Sequence, residues 1–315
     1  MKKSKVIVTG GAGFIGSNLA EELAQRGNHV IVIDNLSTGN PENIQSITKA
    51  GQVDFIEGSI TDLSLMQKSF SGVDYVFHQA ALPSVPRSIE DPETTDSVNI
   101  TGTLNVLIAA RDNAVKKLVY ASSSSVYGDT PTLPKTEDMI PNPLSPYAVT
   151  KLTGEYYCQV FTKIYNLKTV CLRYFNVYGP RQDPNSAYAA VIPLFINNVL
   201  SGKSPVIFGD GEQTRDFTFV KDVVEANIQA AESDVTGIFN LGNSQRVTIN
   251  ELTKLIRNIA KRSDVKPIFD KPRPGDIVHS LADTSKAKAF GYNPRYTLEQ
   301  GLKETVEFFN KARAG

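Results

Sequence analysis

The chain has 315 residues, and its 33 basic and 33 acidic side chains give a formal net charge of zero at pH 7. This balance argues against bulk affinity for nucleic acid or an anionic membrane, because such binding needs an excess of Lys and Arg on one face. Hydrophobic residues make up 41% of the sequence, as in a folded protein, and at this length we expect one large domain carrying a smaller lobe, or two unequal domains.

Short apolar runs alternate with helical patterns through the first half of the chain. The runs that read as strands are Lys5 to Val8, Val30 to Ile33, Val53 to Ile56, Tyr75 to His78, Leu118 to Ala121 and Thr169 to Arg173. Between them, apolar residues recur at helical spacing, which predicts an α/β fold with a parallel sheet covered by helices on both faces. No apolar run approaches the roughly 20 residues needed to cross a bilayer, so no membrane span is expected.

The N-terminal residues are basic, as in a secretion signal, but Val6 to Val8 leads straight into a glycine-rich turn instead of a longer apolar stretch. A cytoplasmic protein is therefore expected. Cys158 and Cys171 fall in a helical pattern and an apolar strand, where we expect small buried hydrophobes rather than a disulfide or a nucleophile. The scattered histidines show no metal-ligand spacing, so no metal site is predicted.

Three glycines follow the first predicted strand and precede a helix: Gly10, Gly13 and Gly16. In this pattern the first glycine allows a tight turn, the second lets backbone approach a pyrophosphate, and the third lets the helix pack on the strand. Asp34 ends the second strand, at about the offset from which an acid accepts ribose hydroxyls. We therefore predict a doubly wound Rossmann sheet that binds a dinucleotide at the positive N-terminus of the helix. Because Asp34 would repel a 2′-phosphate and neither Asn35 nor Leu36 is an arginine, NAD is expected rather than NADP.

The second half of the chain is less regular. Five prolines between Thr130 and Pro146 predict a long loop, and the sequence from Phe208 to Thr214 predicts a hairpin turn. Capping boxes begin at Thr248 and Thr297 and predict the starts of two helices. We expect residues 1–175, with later contributions from about 216–242, to form the NAD-binding Rossmann domain. Residues 176–315 are expected to form mainly a smaller α/β substrate-binding lobe.

A second motif lies between these halves. Ser145 and Pro146 suit the N-cap and first position of a helix, which places Tyr147 and Lys151 one turn apart on one face. The strand Leu118 to Ala121 ends in four serines, at the sheet edge where such folds bind ligands. Together with the glycine motif, this arrangement resembles the Ser, Tyr, Lys constellation of the extended short-chain dehydrogenase/reductases. The catalytic candidates are Ser123, Tyr147 and Lys151.

The chemistry of such a site requires these residue types. A tyrosine with a pKa near 10 must lose about 3 units to act as a base at neutral pH. A lysine cation about 4 Å away supplies an effect of that size at an effective dielectric near 20, and a positive nicotinamide ring adds to it. Ser123 would hold the substrate oxygen by a hydrogen bond while Tyr147 takes its proton and NAD accepts a hydride.

Further segments make the resemblance more specific. They are similar to the signature segments of nucleotide-sugar 4-epimerases: Ala80 to Ser88, Arg173 to Arg181, Tyr188 to Pro193, Arg215 to Phe217 and Arg273 to Asp276. The similarity runs from about Val6 to Phe309 and is closest to UDP-N-acetylglucosamine 4-epimerases. It implies a reaction that uses NAD without consuming it, in which hydride leaves sugar C4, the 4-keto sugar turns over, and the hydride returns to the opposite face.

The same resemblance implies contacts along the whole chain. Further cofactor contacts are implied for Phe14, Ile15, Asn35, Ser37, Thr38, Gly39, Ser59, Ile60, Gln79, Ala80, Ala81, Asn99, Tyr147, Lys151, Tyr174 and Asn176. Contacts with the UDP-sugar are implied for Ser84, Ser123, Ser124, Tyr147, Asn176, Ala190, Val191, Phe208, Arg215, Arg273, Asp276 and Ser280. Arginine suits phosphate independently of the family, because its planar fork binds two oxygens at once.

Three positions qualify the substrate and cofactor predictions. Ser280 matches the family position that faces the sugar C2 substituent, where a tyrosine confines the pocket to glucose and galactose. Serine is smaller, so we expect room for an N-acetyl group and activity on UDP-GlcNAc and UDP-GalNAc as well as on UDP-glucose and UDP-galactose. UDP-glucuronate is an alternative substrate, with Arg87 as the cation for its carboxylate. Ser59 replaces the usual aspartate that bonds the adenine amine, which predicts a weaker contact.

Other activities on this fold fit the sequence less well. Dehydratases and decarboxylases carry an acid beside the catalytic serine or threonine, whereas this chain has Ser124 and Ser125 there. A non-catalytic NAD-binding sensor would have no reason to keep the three catalytic candidates together. The family also implies a homodimer, formed through the helices that follow Asn99 and Tyr147.

Overall fold

The computed structural model describes residues 3–184, 190–272 and 278–314. Its strands are β1 (Lys5–Thr9), β2 (His29–Asp34), β3 (Val53–Glu57), β4 (Tyr75–His78), β5 (Lys117–Ser123), β6 (Lys168–Tyr174), β7 (Val177–Tyr178), β8 (Val206–Phe208), β9 (Thr214–Arg215), β10 (Thr218–Phe219), β11 (Gly237–Leu241), β12 (Val247–Thr248) and β13 (Ile268–Asp270). Its helices are α1 (Phe14–Gln25), α2 (Glu42–Lys49), α3 (Leu63–Ser69), α4 (Val85–Glu90), α5 (Pro92–Asp96), α6 (Gly102–Asp112), α7 (Pro146–Tyr165), α8 (Val191–Leu200), α9 (Val220–Glu232), α10 (Ile249–Ile259) and α11 (Leu298–Ala314). A π-helical turn at Ser97–Thr101 precedes α6, and 3₁₀ turns occupy Ser124–Tyr127 and Lys286–Phe290.

Seven parallel strands form the central sheet, in the order β11-β6-β5-β4-β1-β2-β3. The predicted doubly wound α/β fold is thereby confirmed. Each of the six predicted strands is present, with its ends shifted by at most two residues. The seventh, β11, is not among the strands that the sequence predicts. The chain reverses direction across the sheet between β1 and β4, and ligands of open α/β sheets bind outside the carboxyl ends of the strands at such a point.

Apolar side chains fill both faces of the sheet. On one face, a cluster that includes Leu19 and Leu23 of α1 packs with residues of α8, α9, α10 and α11. On the other face, a second cluster includes Val106 of α6 and Phe161 of α7. Cys158 and Cys171 lie in this second cluster as buried free thiols, as the sequence predicts.

Outside the central sheet, the described residues after β6 form three pairs of short strands, β10 with β7, β12 with β9 and β13 with β8. The hairpin predicted for Phe208 to Thr214 is wrong, because β8 pairs with β13 in parallel and β9 pairs with β12 in antiparallel orientation. The intervening turn is bonded to α10 instead, where Asn250 donates its backbone amide to Gly211 O and its side-chain amide to Asp210 O. Both predicted capping boxes are present, at the starts of α10 and α11.

The expectations of no membrane span and no metal site concern the helices and the titratable side chains. Within the described ranges, no helix combines the length and the apolar character that a membrane span requires. Among the same residues, no group of three His, Cys, Asp or Glu side chains is placed to hold a metal ion.

Candidate active site

The glycine loop between β1 and α1 has the shape that a diphosphate requires. Gly10 has φ +68°, and a side chain there would place its Cβ 2.6 Å from the amide nitrogen of Ala80, so only glycine fits without strain. α1 begins after Gly13 with no side-chain cap and no acidic residue in its first turn. Its N-terminal amides and positive dipole end are therefore available to an anion. Phe14, Ile15 and Gly16 form the first turn, so the structure fits a dinucleotide phosphate at this loop.

Asp34 lies at the end of β2, directly beside this loop. Its Oδ2 accepts the amide of Ala12 at 3.0 Å, and its Oδ1 accepts the amide of Leu36 at 2.8 Å. Each carboxylate oxygen has a second lone pair, so the two ribose hydroxyls can still be accepted. Gly39 packs against the same carboxylate, while Ser37 and Thr38 are exposed in the loop after β2. The arrangement fits NAD as the sequence predicts.

Ser59 and Ile60 are the residues expected at the adenine end of the cofactor, and only Ile60 is buried in the core. Ser59 contacts Thr61, whose amide donates to the Ser59 hydroxyl at 3.2 Å and whose hydroxyl lies 2.8 Å from it. Ile60 is buried in the core beside α6, and its carbonyl accepts the side-chain amide of Asn105. The serine hydroxyl is thus already used in a local turn, which is consistent with a weak contact to adenine.

Three polar side chains at the centre of the sheet edge bond one another. The Gln79 amide, just after β4, donates to Tyr174 Oη and to Asn227 Oδ1, both at 3.1 Å. Tyr174 ends β6, and Asn227 lies on α9. Ala80 follows Gln79, and its backbone lies close to Gly10 of the glycine loop; Ala81 is the next residue of the chain. The predicted cofactor residues Gln79, Ala80 and Tyr174 therefore lie beside one another.

Asn99 is the predicted cofactor residue whose side chain is most fully used within the chain. It lies in the π-helical turn and is 1% exposed. Its Oδ1 accepts the Leu82 amide at 2.8 Å, and its Nδ2 donates to Thr150 Oγ1 at 3.0 Å. In this conformation Asn99 joins the loop after β4 to α7, and a contact with the cofactor stays a prediction.

The N-terminus of α7 positions Tyr147. Ser145 caps the helix by accepting the Ala148 amide, with Pro146 in the first turn, as the sequence predicts. The buried Ser88 of α4 accepts the Tyr147 amide at 3.1 Å, which the sequence analysis does not anticipate. One turn later, the buried Lys151 ammonium donates to Ala121 O at 2.9 Å. The catalytic candidates therefore meet at the carboxyl edge of the sheet.

The protonation of this site differs from the expectation based on charge alone. Burial raises the pKa of Tyr147, and a hydrogen bond with Ser123 only partly opposes it. Burial also lowers the pKa of Lys151 to about 8. The Lys151 ammonium lies 5.9 Å from the centroid of the Tyr147 ring and donates a hydrogen bond to the Ala121 carbonyl. In this state Tyr147 is a proton donor, and lowering its pKa to neutrality requires further positive charge.

A cavity of about 310 Å³ is lined by residues that follow β6 in the chain. Its walls come from β7, α8, β8, β9 and the start of α10: Asn176, Val177, Tyr178, Gln182, Ala190, Val191, Ile192, Leu194, Phe195, Val206, Ile207, Phe208, Gln213, Arg215, Phe217 and Ile249. Five of the residues that the resemblance assigns to the UDP-sugar are among them: Asn176, Ala190, Val191, Phe208 and Arg215. An aromatic and aliphatic wall with a few polar groups suits a small ligand such as a nucleotide. Phe195, Gln213 and Phe217 are not predicted, because in the sequence they look like ordinary core or turn residues.

A buried carboxylate holds the far wall of this region in place. Asp216 is fully buried and accepts the backbone amides of Asn243, Ser244 and Ala282 at 2.7 to 3.1 Å. Its own carbonyl accepts the Asn176 side chain at 3.0 Å. Asp216 directly follows Arg215, so its bond to Ala282 connects β9 with the segment that contains Ser280.

Three of the remaining substrate candidates, Ser84, Ser124 and Ser280, lie within the described residues. Ser280 is outside the cavity lining, and its amide donates to Thr214 O at 3.1 Å, next to Arg215. Ser84 caps α4, and Ser124 begins the 3₁₀ turn that follows Ser123; both are partly buried. Arg273 and Asp276 lie outside the described residues.

Known epimerases are similar to this protein over nearly the whole chain. The model of the "NAD dependent epimerase/dehydratase family" matches residues 6–242. A UDP-glucose 4-epimerase of Mycolicibacterium smegmatis is 40% identical, over 98% of this chain and 100% of its own. The UDP-N-acetylglucosamine 4-epimerase of Methanobrevibacter ruminantium M1, solved with UDP-N-acetylmuramic acid, has a TM-score of 0.96 and 44% identity over 99% of this chain and 100% of its own. The UDP-glucuronic acid 4-epimerase of Bacillus cereus, solved with UDP-glucuronic acid and NAD, has a TM-score of 0.89 and 35% identity. The match covers 98% of this chain and 99% of the Bacillus enzyme.

Proposed function

Because this chain belongs to the NAD dependent epimerase/dehydratase family, we propose that it is a 4-epimerase that interconverts UDP-GlcNAc and UDP-GalNAc, and also UDP-glucose and UDP-galactose. It is an isomerase, and its cofactor is NAD. One observation carries the proposal. Three features lie at the same carboxyl edge of the central sheet. They are the glycine loop, the cavity beside β7, and the group formed by Ser123, Tyr147 and Lys151.

The residues at this edge suit reversible oxidation at a sugar hydroxyl. NAD, when bound, supplies the reversible oxidation at C4. Tyr147 removes the proton from the 4-hydroxyl and later returns one, while Ser123 donates a hydrogen bond to the same oxygen. The positive charges of Lys151 and of the nicotinamide ring, when NAD is bound, would together oppose the rise in the pKa of Tyr147 that burial causes. We also infer a division of labour, in which residues 1–175 and the later segment 216–242 hold the cofactor and residues 176–315 mainly hold the nucleotide sugar.

The surroundings of Ser123 favour epimerisation over elimination or decarboxylation. Its neighbours Ser124 and Ser125 are not acids. The acid Glu155, one turn beyond Lys151 on α7, is fully buried and bonded by Arg173 at 2.7 and 2.8 Å and by Ser122 at 2.5 Å. Its carboxylate is therefore occupied by structural contacts. Because none of these three neighbours is a free acid or base, oxidation followed by reduction is the reaction that they support.

The size of position 280 supports the N-acetylated substrate. Ser280 is partly buried and fixed beside Arg215 through its bond to Thr214. A serine leaves space that a phenol ring would fill, and the similar Methanobrevibacter enzyme is named for UDP-N-acetylglucosamine. UDP-glucuronate is the second candidate, because Arg87 lies on α4, the helix that contacts the Tyr147 amide through Ser88.

The test is to incubate purified protein with UDP-GlcNAc, UDP-glucose or UDP-glucuronate without added cofactor, and to follow the anomeric proton signals by NMR. We expect UDP-GlcNAc to convert to UDP-GalNAc, and UDP-glucose to UDP-galactose. Tyr147→Phe, prepared in parallel, controls for contaminating epimerase. Conversion of UDP-glucuronate alone would assign the alternative substrate, and conversion of none of the three would refute the proposal.

The surface of α7 also supports the expected homodimer. Five large apolar side chains on this helix are 45 to 63% exposed, and four of them are candidates for an interface: Val149, Tyr156, Val160 and Ile164. Their spacing of seven, four and four residues forms one stripe, and a second copy related by a twofold axis would bury both stripes against each other. Sedimentation velocity should show a dimer that Val160→Lys weakens. The control Ile140→Lys, at an exposed loop position, should leave the dimer intact. A wild-type monomer would refute this interface.

A further inference from the structure

The ammonium of Lys151 rests against a second tyrosine, which is not part of the Ser, Tyr, Lys constellation. Lys151 Nζ lies 5.1 Å from the centroid of the Tyr120 ring, closer than its 5.9 Å from the Tyr147 ring. Tyr120 is on β5 and is 1% exposed. A cation within about 6 Å of an aromatic face is attracted by the ring quadrupole, and more strongly when water is excluded.

The packing of α7 places Tyr120 in this position. Tyr120 Oη donates to Lys151 O at 3.4 Å, so the same side chain contacts both the backbone and the ammonium of the lysine. Gly154 lies on α7 where a Cβ would overlap Tyr120 Oη. The ring can therefore lie directly beneath this turn of the helix only because position 154 lacks a side chain.

The other described groups near Lys151 supply no free negative charge that would stabilise its ammonium. The carbonyl of Ala121 accepts a hydrogen bond from Nζ at 2.9 Å. From β4, His78 is neutral, because burial, with a smaller effect from Lys151, lowers its pKa to about 3. From the next turn of α7, Glu155 is bonded by Arg173. From the π-helical turn, the neutral side chain of Asn99 bonds Thr150.

Among the described residues no carboxylate is paired with Lys151, so burial disfavours the charged form of this side chain. Burial lowers the pKa of Lys151 to about 8, within the range where enzymes of neutral cells operate. The Ala121 carbonyl and the faces of two tyrosines are therefore the groups that hold the proton on Nζ. Of the two rings, Tyr120 is nearer and takes no part in the proposed proton transfer.

We propose that Tyr120 is a positioning residue for the reaction, whose ring keeps Lys151 charged and held beneath Tyr147 and thereby sets the alkaline limit of activity. The inference rests on the proposed function, because Lys151 matters to turnover only if Tyr147 is the base. In this proposal the ring of Tyr120 affects turnover and its hydroxyl does not.

The test compares Tyr120→Leu, which removes the ring, with the matched control Tyr120→Phe, which keeps it. With UDP-GlcNAc at saturation, we expect the alkaline limb of kcat against pH to move down by about one unit in Tyr120→Leu, as the loss of a desolvated cation–π contact predicts. At pH 8 we expect kcat to fall about fivefold, because the charged fraction of Lys151 falls by that factor when its pKa moves down by about one unit. KM should stay nearly unchanged, since Tyr120 contacts the lysine and not the substrate. The limb should stay in place in Tyr120→Phe.

A measurement without turnover separates this inference from the proposed function. Lysine labelled with ¹³C at the ε carbon reports the titration of Lys151 by NMR in the enzyme as isolated, with its signal assigned from Lys151→Met. Titration at a lower pH in Tyr120→Leu than in Tyr120→Phe would support the role of the ring, even if no UDP-sugar is converted. Equal titration and equal pH profiles in the two variants would overturn it. If Tyr120→Leu does not fold, Tyr120→Met serves as the ringless variant.

Discussion

The hydroxyl oxygen of Ser123 accepts two hydrogen bonds from Ser125, one from its hydroxyl at 2.9 Å and one from its amide at 3.1 Å. A serine oxygen has two lone pairs, and both are thereby used. The Ser123 proton must then be donated to a third group, and a hydrogen bond joins Ser123 to Tyr147. Ser125 therefore makes Ser123 a donor, which is the role required toward a sugar oxygen.

This relationship predicts the effect of Ser125→Ala. The variant loses one of the two bonds that orient Ser123, and we expect kcat to fall about two- to tenfold, the range for one neutral hydrogen bond. KM and the NAD content of the purified enzyme should change little. Ser125→Thr keeps a hydroxyl and serves as the control, measured in the same NMR assay. An unchanged kcat in Ser125→Ala would show that the amide bond alone orients Ser123.

Tyr147→Phe removes the proposed base. Turnover should fall by about 10²- to 10⁴-fold, the usual contribution of general acid–base catalysis. The bound cofactor should remain, since the glycine loop and Asp34 are untouched, and its amount is measured by absorbance after denaturation. Activity within tenfold of the wild type would assign the proton transfer to another group.

Ser280→Tyr tests the size of the sugar pocket. A phenol ring at this position should exclude the N-acetyl group while leaving room for a C2 hydroxyl. We expect kcat/KM for UDP-GlcNAc to fall at least about 100-fold and that for UDP-glucose to stay within a few-fold, because a steric clash acts on one substrate only. Ser280→Ala, which adds no bulk, is the control. Equal losses on both substrates would contradict the assigned role.

The buried ion pair between Glu155 and Arg173 predicts a change in stability. Arg173→Met leaves the Glu155 carboxylate buried and unpaired, which costs about 3–5 kcal/mol and should lower Tm by roughly 10 °C. The double variant Arg173→Met with Glu155→Leu should recover much of this loss, because no charge remains buried. Lys311→Met breaks an exposed pair with Glu307 and should shift Tm by little. Calorimetry decides, and a double variant no more stable than the single one would count against this account.

Local patterns predicted most of the elements that carry the site. The glycine turn, the acid at the end of β2 and the Ser145 cap depend on a few neighbouring residues, so they could be recognised in the sequence. The hairpin predicted after Phe208 failed for the opposite reason. Whether two strands pair across a turn depends on what else they contact, and here β13 and β12 are the partners.

The sequence by itself determined the parallel sheet and the dinucleotide motif, because both follow from the spacing of side chains along a strand or a helix turn. It also placed Tyr147 and Lys151 one helix turn apart, and the resemblance to the extended short-chain dehydrogenase/reductases assigned these two residues and Ser123 as catalytic candidates. Only the tertiary structure decided which groups surround those candidates. Tyr120 beneath Lys151, Ser125 against Ser123 and Asp216 behind Arg215 and Ser280 are contacts of this kind. The physical reason is that burial and the orientation of a hydroxyl proton depend on packing in three dimensions, and these determine the charge and the pKa of a catalytic group.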